Sequence, residues 1–259
     1  MKNNIDARKD IALKAADAVG RILIKNFKKP IIAKSKGDRN LVTAIDLECE
    51  SAIMKLIKKY FPEDGILSEE SPESASSSQF RWIIDPLDGT HNYIRSIDIF
   101  GTSIAVEYQK EMVIGVIYMP VTDELYVAHK NNGAYCNNRK ISVSKKPLID
   151  ATLIYDSSIR YNIDPMLKGL KNLSDKVFNI RMFGSSARHL SYVAEGKADI
   201  DIEFYDKSWD FAAGLLLVEE AGGEATDFKG NKWSADTKEY IASNGVVHQQ
   251  ALGLMANVR

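Results

Sequence analysis

Two acidic residues separated by Pro86 and Leu87 form the stretch of this sequence best suited to chemistry. Asp85 and Asp88 flank that pair, directly after the apolar run at 82–84, whose β-branched and aromatic residues indicate a buried strand. Because proline has no amide hydrogen for a strand ladder, we predict that the strand ends at Pro86, with Asp85 at its carboxyl end. The two carboxylates then lie close together on one turn, where like charges repel unless a cation lies between them.

The residues after this turn are suited to binding an anion. Gly89 allows a backbone to approach a ligand closely, and Thr90 is predicted to begin a helix whose first amide groups face outward. Mg²⁺ takes oxygen ligands and keeps several waters, so it is the simplest cation to lie between Asp85 and Asp88. We therefore predict a metal site and a phosphate site on one turn.

Three further acids are predicted near the ends of strands or helices. Glu69 and Glu70 follow a short strand, and Asp210 lies in the first turn of a helix. Each has a simpler interpretation, because the two glutamates suit a solvated loop and Asp210 complements a helix dipole, with Ser208 as the N-cap. Taken singly, these acids do not establish a site.

Asp46 has a comparable alternative role. It lies three residues after Thr43 at the start of a predicted helix, and this spacing fits a capping box. From the residues alone, helix capping is the favoured role for Asp46.

The composition is that of an ordinary globular protein of 259 residues, 45% hydrophobic and 27% charged. The 34 Lys and Arg residues nearly balance the 35 Asp and Glu residues, so bulk charge gives no indication of a nucleic-acid polymer as partner. No apolar run reaches the length of a membrane span, and the N-terminus lacks the apolar region of a signal peptide. Cys49 and Cys136 form neither a disulfide framework nor a zinc pattern, so we expect a reduced, cytoplasmic setting.

We treat the chain as a single catalytic domain over residues 1–259. The pattern of helices and strands that must position the acids differs between its two halves. The first half, about 1–145, predicts long helices packed on an antiparallel sheet, an α+β arrangement. Its polar residues 35–40 predict a mobile loop. Helices are expected at 5–27 and from 41 to about 60, and strands at 66–68, 82–84, 100–108, 112–119, 125–128, 133–136 and 140–143.

The second half, about 146–259, predicts an α/β arrangement because its strands alternate with helices. Strands are expected at 151–155, 177–182, 200–204, 224–226 and 240–242, and helices at 165–171, 186–194, 209–221 and near the C-terminal end. The predicted fold class is therefore mixed, α+β followed by α/β.

Several segments, in their order along the chain, resemble the motifs of the inositol monophosphatase family of Mg²⁺-dependent, lithium-sensitive phosphatases. The segments are 41–46, 68–71, 82–93, 133–135, 208–214 and 219–223. The resemblance covers essentially the whole chain, and several motifs in the right order are far more specific than any one of them. It implies a layered αβαβα sandwich of the sugar-phosphatase type.

The resemblance also implies two to three Mg²⁺ ions held by acidic side chains and one carbonyl. Glu69, Asp85 and the carbonyl of Leu87 would bind the first ion. Asp85, Asp88 and Asp210 would bind the second, so that Asp85 bridges the pair. Two ions of this kind clamp the attacking and leaving oxygens of an in-line displacement.

Further roles are implied for residues around the ions. Thr90 and Asp46 would orient and deprotonate the attacking water, which adds a catalytic role to the capping role of Asp46. The backbone amides of Gly89 and Thr90 would hold the phosphate. Glu69 would serve in catalysis as well, and a third, weaker ion would lie near it, assisted by Glu70 through water.

The substrate pocket is implied to include Gly184, Ser185 and Ser186, together with Glu203 seven residues before Asp210. Glu203 would accept hydrogen bonds from sugar or inositol hydroxyl groups. Its alternative is an ordinary surface carboxylate at a strand end.

Other polar residues keep two interpretations each. Arg188 stands where many relatives carry an aliphatic residue, and it either faces a second phosphate in the substrate pocket or lies on the exposed side of its helix. The resemblance implies an active-site lysine, and both Lys34 and Lys36 are candidates for it because the register of this segment is ambiguous. His91 could contact the phosphate region, although a structural, hydrogen-bonded role is the safer expectation.

The expected function is Mg²⁺-dependent hydrolysis of inositol monophosphate or a related polyol or sugar phosphate, by a homodimer. Fructose-1,6-bisphosphatase, histidinol-phosphatase and nucleotide 3'-phosphatase activities remain alternatives within the family. A phosphatase with an aspartyl-phosphate intermediate has one residue between its two acids, whereas here two residues separate Asp85 from Asp88. A non-catalytic sugar-phosphate-binding protein would be expected to lack one of the acids or Thr90, and all are present.

Overall fold

The computed structural model describes residues 2–37, 40–75 and 77–258. Three helical layers alternate with two β-sheets, which confirms the predicted αβαβα sandwich. The helices are α1 (Lys2–Asn26), α2 (Ala44–Tyr60), α3 (Thr90–Ile94), α4 (Ile163–Ser174), α5 (Ser186–Ala194), α6 (Ser208–Glu220) and α7 (His248–Met255). None of the described helices is both long enough and apolar enough to cross a membrane.

The larger sheet belongs to the first half of the chain and has seven strands in sequence order. They are β3 (Gly65–Ser68), β4 (Phe80–Asp88), β5 (Gly101–Tyr108), β6 (Glu111–Met119), β7 (Glu124–His129), β8 (Gly133–Cys136) and β9 (Arg139–Lys140). β3 and β4 are parallel and the remaining pairs are antiparallel. The parallel pair brings the carboxyl ends of β3 and β4 together, so the acids that follow them lie at one edge of the sheet.

Pro86 does not end β4, which corrects the prediction for this strand. The strand continues to Asp88, and its pairing with β5 shifts register between Asp85 and Asp88. A bulge of this kind accommodates a residue that cannot donate to the ladder. The two acids therefore lie on either side of a bulge within the strand, rather than on a turn beyond it.

A short antiparallel hairpin replaces the mobile loop predicted at 35–40. Its strands are β1 (Ala33–Gly37) and β2 (Asn40–Thr43), paired from Ala33 with Thr43. Residues 38–39 of the segment predicted as a loop lie outside the described residues. Because β2 leads directly into α2, the hairpin fixes the approach to that helix.

The second sheet has the order β11-β10-β12-β14-β13 and mixes parallel with antiparallel pairs. Its strands are β10 (Thr152–Tyr155), β11 (Asn179–Arg181), β12 (Ile200–Glu203), β13 (Glu224–Asp227) and β14 (Tyr240–Ser243). β10 is parallel to both β11 and β12, as strands separated by helices should be. At the other edge of the sheet, β14 is antiparallel to both β12 and β13. The second half of the chain is therefore less regular than the predicted α/β pattern.

Three apolar clusters hold the layers together. One cluster packs α1 and α2 on the outer face of the larger sheet, and another packs α4 and α7 on the outer face of the second sheet. The central cluster joins α5 and α6 to the inner faces of both sheets. At Gly115 of β6, an added Cβ would lie 2.6 Å from the carbonyl oxygen of Ala213 in α6, so this glycine lets the sheet approach the helix backbone. The position of α6 is thereby fixed against the sheet that carries the acids.

Candidate active site

A cleft of about 670 Å³ lies where the acid-bearing ends of β3 and β4 meet α5, α6 and the end of β12. It contains most of the residues predicted to bind metal or substrate. The predicted residues that line it are Glu69, Asp88, Gly89, Thr90, Gly184, Ser185, Ser186, Glu203 and Asp210.

Asp85 is buried beneath the cleft, with 2% of its surface exposed. Its Oδ1 accepts a hydrogen bond of 2.9 Å from the amide of Leu87, and its carbonyl accepts one of 3.0 Å from the Thr102 hydroxyl. Burial, followed by the charges of Glu69 and Asp88, raises the pKa of Asp85 well above its ordinary value. The side chain is therefore held rigidly in a strongly negative surrounding.

Asp88 is held by the first turn of α5. Its carboxylate accepts hydrogen bonds from the Ser185 hydroxyl and from the amides of Ser186 (3.1 Å) and Ala187 (3.2 Å). Burial raises the pKa of Asp88 to about 6, against the lowering effect of the Ser185 hydrogen bond. This contact ties the larger sheet to the central helical layer.

Asp210 enters the cleft from the first turn of α6. Its Oδ2 accepts a hydrogen bond of 2.7 Å from the amide of Lys207, which is the N-cap residue in place of the predicted Ser208. Burial, and then the charge of Asp206, raises the pKa of Asp210 well above its ordinary value. Asp210 lies in the first turn of α6, where it complements the helix dipole as predicted. Its side chain also faces the other acids.

The chemistry of this donor set fits Mg²⁺. The side chains supply only carboxylate oxygens, with the Leu87 carbonyl beside them, and Mg²⁺ prefers such ligands. Mutual repulsion contributes to the raised pKa values of Asp85 and Asp210. A divalent cation would remove that repulsion.

A tighter group of possible ligands lies nearby. Among the described residues, the three-member set of His, Cys, Asp or Glu with ligand atoms all within 4.8 Å of one another is His189, Asp201 and Glu203. The four predicted Mg²⁺ ligands do not form such a set. In the tighter group, His189 Nδ1 lies 2.8 Å from Glu203 Oε1, so a hydrogen bond fills the space between these two ligand atoms.

The hydrogen bonds of Asp46 are compatible with both roles considered for it, which are helix capping and proton transfer with Thr90. Its Oδ2 accepts hydrogen bonds from the amide (2.8 Å) and hydroxyl (2.5 Å) of Thr43, and the Thr43 hydroxyl in turn caps α2. Its Oδ1 lies 3.1 Å from the hydroxyl of Thr90, which is also 3.0 Å from the Leu87 carbonyl. The capping box therefore orients a carboxylate toward Thr90, at the edge of the cleft.

Gly89 is required by both its conformation and its surroundings. Its φ of +82° is left-handed, and an added Cβ would lie 2.9 Å from the carbonyl oxygen of Ile99. Gly89 is the N-cap of the short helix α3, so the chain turns sharply from the acids into Thr90. The position is compatible with the predicted phosphate contact.

The segment at 184–186 supports the site rather than only lining it. The hydroxyl of Ser185 is committed to Asp88, and that of Ser186 donates to Asp206 at 2.9 Å. The side-chain amide of Asn92 donates to the carbonyls of Phe183 (2.7 Å) and Ile99 (2.9 Å), which joins this segment to the loop after α3.

Arg188 does not face the cleft, and both interpretations of it are wrong. The residue is 2% exposed, and its guanidinium donates to Glu124 at 2.7 Å and to Thr122 at 3.1 Å. The guanidinium also lies over the ring of Tyr192, 4.7 Å from the centroid. An arginine held by an ion pair and an aromatic ring is a structural residue here.

Glu203 is not a surface carboxylate, which corrects that alternative. It ends β12, lines the cleft and is 2% exposed. His189 from α5 holds one of its oxygens. A role in binding substrate stays a prediction for this residue.

The remaining predicted residues are less informative. Lys34 is exposed and is not part of the cleft lining, and the side chain of Lys36 lies outside the described residues. His91 is exposed and lines the cleft, with no side-chain hydrogen bond to the described residues, so the structural role expected for it is wrong. Glu70 is partly buried beside Glu69.

The polar cleft residues that were not singled out in advance as binding residues include Asp156, Arg160, His189 and Asp206. A signal was present for the acids on β12. Asp201 and Glu203 alternate with isoleucines, and side chains two residues apart lie on the same face of a strand. Two acids on one face of a buried strand indicate a polar partner, which His189 provides.

The likeness to known proteins extends over nearly the whole chain. A sequence profile of the inositol monophosphatase family matches residues 5–258. A fructose-1,6-bisphosphatase/inositol-1-monophosphatase of Thermotoga maritima is 32% identical over 252 residues, covering 97% of this chain and 96% of the relative. The Nus factor SuhB of Escherichia coli strain K12 is 35% identical over 257 residues, covering 96% and 95%.

Solved structures agree with this likeness. The extragenic suppressor protein SuhB of Bartonella henselae superposes with a TM-score of 0.93 at 35% identity, covering 97% of this chain and 99% of that one. An inositol monophosphatase/NADP phosphatase complexed with Mg²⁺ and phosphate superposes with a TM-score of 0.83 at 26% identity, covering 97% and 95%.

Proposed function

The chain belongs to the inositol monophosphatase family of phosphatases, and on that premise we propose that it is a Mg²⁺-dependent phosphomonoesterase. The observation that carries the proposal is the convergence of Glu69, Asp85, Asp88 and Asp210 beside Gly89 and Thr90. The four acids would hold two to three ions, with Asp85 shared between two of them. Bound Mg²⁺ would activate water as a nucleophile and neutralise charge on the phosphate.

Thr90 and Asp46 would carry the proton chemistry. The Thr90 hydroxyl can donate to Asp46 Oδ1, 3.1 Å away, and can then accept a proton from the attacking water. Thr43 holds the other oxygen of Asp46 through two hydrogen bonds, so the carboxylate cannot turn away. Glu69, which follows β3 and lines the cleft, would also serve in catalysis.

The chain would bind the phosphate through backbone groups at the bulge. Gly89 and Thr90 line the cleft and would offer their amides to the phosphate oxygens. Phosphoryl transfer then needs mainly positioning and charge stabilisation, so a covalent intermediate on the protein is not required.

The substrate would be inositol monophosphate or a related polyol or sugar phosphate. Glu203 lines the cleft, and its carboxylate would accept hydrogen bonds from the alcohol part of the ester. Fructose 1,6-bisphosphate is a second candidate because the Thermotoga maritima relative is named for both activities. It ranks below a monoester here, since Arg188 is paired with Glu124 and is not available to a second phosphate.

Family membership also supports three finer proposals, namely a homodimer, a cytoplasmic setting and inhibition by lithium. The two cysteines are free and buried, in keeping with a reduced compartment. Small phosphorylated molecules, rather than nucleic-acid polymers or membranes, would be the partners. Sedimentation of the purified protein and inhibition by Li⁺ at fixed Mg²⁺ would test the first and third proposals.

The function is tested by measuring phosphate release from inositol 1-phosphate, fructose 1,6-bisphosphate, histidinol phosphate and 3'-phosphoadenosine 5'-phosphate. We expect release from at least one monoester with Mg²⁺ and loss of that release with EDTA. If no ester is hydrolysed in the presence of Mg²⁺, the proposed function is wrong, and a non-catalytic binding protein becomes the better account.

A further inference from the structure

Glu50 is a buried acid that the proposed mechanism does not use. It lies on α2, four residues after Asp46, so the two carboxylates lie one turn apart on the same face of the helix. Glu50 is 5% exposed, and no basic side chain pairs with it within the described residues. A buried carboxylate is costly unless other groups donate hydrogen bonds to it. The donors around Glu50 therefore indicate its role.

The first donor comes from the segment that follows β3. The hydroxyl of Ser71 donates to Glu50 Oε2 at 2.7 Å. Ser71 lies two residues after Glu69, so this hydrogen bond joins α2 to the segment that carries a proposed Mg²⁺ ligand. One turn earlier on the same helix, Asp46 Oδ1 lies 3.1 Å from the hydroxyl of Thr90. α2 therefore contacts both the metal-binding side and the proton-transfer side of the proposed site.

A second donor is available on the other side of Glu69. Ser68 ends β3 and is 3% exposed, and its hydroxyl has no hydrogen-bond partner in the described part of the chain. The other oxygen of Glu50, Oε1, is likewise buried without a partner there. Ile66 packs in the cluster beneath α2 and Leu67 packs in the central cluster, so strand alternation places Ser68 on the face toward α2. An unpartnered donor and an unpartnered acceptor thus lie in the same layer.

We propose that Glu50 is a positioning residue for the proposed Mg²⁺ site, because it holds the segment Ser68–Ser71 at both ends. Glu50 accepts a hydrogen bond from Ser71 directly, and one from Ser68 either directly or through a buried water, which satisfies both of its oxygens. The carboxylate of Glu69, between the two serines, is thereby held at the cleft. This inference rests on the proposed function, since Glu69 acts there as a metal ligand. Residues that orient metal ligands from behind set metal affinity.

The test replaces Glu50 by residues that remove or keep its acceptor oxygens. Glu50→Met keeps the length of the side chain and removes both hydrogen bonds. The Mg²⁺ concentration that gives half-maximal phosphate release should therefore rise about 10-fold or more, as for other residues that orient metal ligands. At saturating Mg²⁺, kcat should change by less than about 3-fold, since Glu50 does not contact the reacting atoms. Glu50→Gln keeps an acceptor for Ser71 and should restore the Mg²⁺ response.

Two measurements without substrate separate positioning from activity. Titration calorimetry should show the same loss of Mg²⁺ affinity in Glu50→Met. In EDTA, hydrogen exchange reports how firmly the segment is held, because the amide of Glu69 donates to the carbonyl of Ile84 at 3.2 Å. Exchange of this amide should be about 10-fold faster in Glu50→Met, the effect of losing a hydrogen bond to a charged group. Glu50→Gln should exchange like the unsubstituted protein.

Glu48→Met is the matched control, because Glu48 is an exposed acid two residues away on the same helix. Its Mg²⁺ response and hydrogen exchange should equal those of the unsubstituted protein. Ser71→Ala removes one of the two hydrogen bonds and should give a smaller shift in the same direction. Because Ser71 and Glu50 act through one contact, adding Ser71→Ala to Glu50→Met should change little more. If Glu50→Met does not fold, Ser71→Ala carries the test, since Ser71 is only partly buried.

Unchanged half-maximal Mg²⁺ in both Glu50→Met and Ser71→Ala overturns the inference. Faster hydrogen exchange without a change in Mg²⁺ affinity also overturns it, because Glu50 would then hold the segment without affecting the metal. An equal shift in Glu48→Met overturns it as well, by assigning the effect to net charge. Absence of phosphate release from the unsubstituted protein would instead refute the proposed function, and calorimetry and hydrogen exchange would still decide whether Glu50 positions Glu69.

Discussion

At the scale of single residues, Thr90 is where the proposed mechanism depends most on one hydroxyl group. We expect Thr90→Val to lower kcat for phosphate release by about 100-fold or more, because positioned proton transfer contributes that much. Thr90→Ser keeps the hydroxyl within reach of Asp46 and should retain most activity. Steady-state phosphate release measures both variants.

The Thr90 variants separate chemistry from packing. If Thr90→Val stays within about 2-fold of the unsubstituted protein while folding normally, Thr90 has no part in proton transfer. If Thr90→Ser loses as much activity as Thr90→Val, the hydroxyl alone is not sufficient, and the packing of the methyl group contributes as well.

Single residues were predictable where sequence spacing alone defined them. The pair Asp85 and Asp88, and the pair Thr43 and Asp46, needed only a local pattern. Arg188 was not predictable, because its partner Glu124 lies 64 residues away and nothing local indicates their ion pair. Asp206 was missed for the same reason, since its partners come from α5 and β14.

At the scale of elements, the bulge at the end of β4 and the start of α3 depend on Gly89. We expect Gly89→Ala to lower the free energy of unfolding by at least about 2 kcal/mol, because it combines a left-handed φ with a close contact to a carbonyl oxygen. It should also remove most phosphate release. Urea unfolding and kcat measure the two effects.

Gly222 supplies the matched control for this prediction. Its φ is +89°, and an added Cβ would meet nothing within 4 Å. Gly222→Ala should therefore cost only the conformational strain, about 1 kcal/mol, and leave activity unchanged. Equal destabilisation by the two alanines would show that the contact at Ile99 does not restrict residue 89.

Element boundaries were predictable where apolar periodicity was strong. The helix predicted at 186–194 is α5 without change, and the strand predicted at 133–136 is β8. The hairpin at 33–43 was not predictable, because its polar residues show no alternation and it depends on continuing into α2. β4 was predicted too short because a rule about proline in regular strands does not allow for a bulge.

At the scale of the whole molecule, the concentration of buried acids predicts that stability without metal falls as pH rises. Burial, followed by the charge of Asp156, raises the pKa of Asp206 from 3.8 to about 8, and burial raises that of Asp88 to about 6. Between the ordinary value and the raised one, the folded protein holds more protons than the unfolded chain. Its stability is therefore lost as pH rises through that range.

Thermal unfolding in EDTA should show this trend as a Tm that falls from pH 5 to pH 8. Mg²⁺ binds the ionised folded state, so saturating Mg²⁺ should raise Tm most at the higher pH. Asp206→Asn should flatten the slope in EDTA. A Tm that rises over this range in EDTA would show that the acids are not under mutual strain in the metal-free protein.

The layered architecture was predictable as a class but not in the detail of the central layer. Alternating strands and helices indicated two halves, whereas the positions of α5 and α6 between the two sheets follow from apolar contacts across the whole chain. That central layer is what brings Asp210 and Glu203 to the acids at the ends of β3 and β4. Sequence spacing cannot supply such long-range placement.

The most direct measurement for the central claim is Mg²⁺-dependent phosphate release by Asp85→Asn, with Tm followed in the same Mg²⁺ titration. The amide keeps the shape of Asp85 but removes the charge shared between two ions. We predict that phosphate release falls by at least about 1000-fold. Tm should rise in EDTA because repulsion is relieved, and the stabilisation by Mg²⁺ should shrink. The opposite result would contradict a shared metal ligand at Asp85. In that case Asp85→Asn would keep phosphate release within tenfold of the unsubstituted protein, and Mg²⁺ would raise its Tm by the same amount.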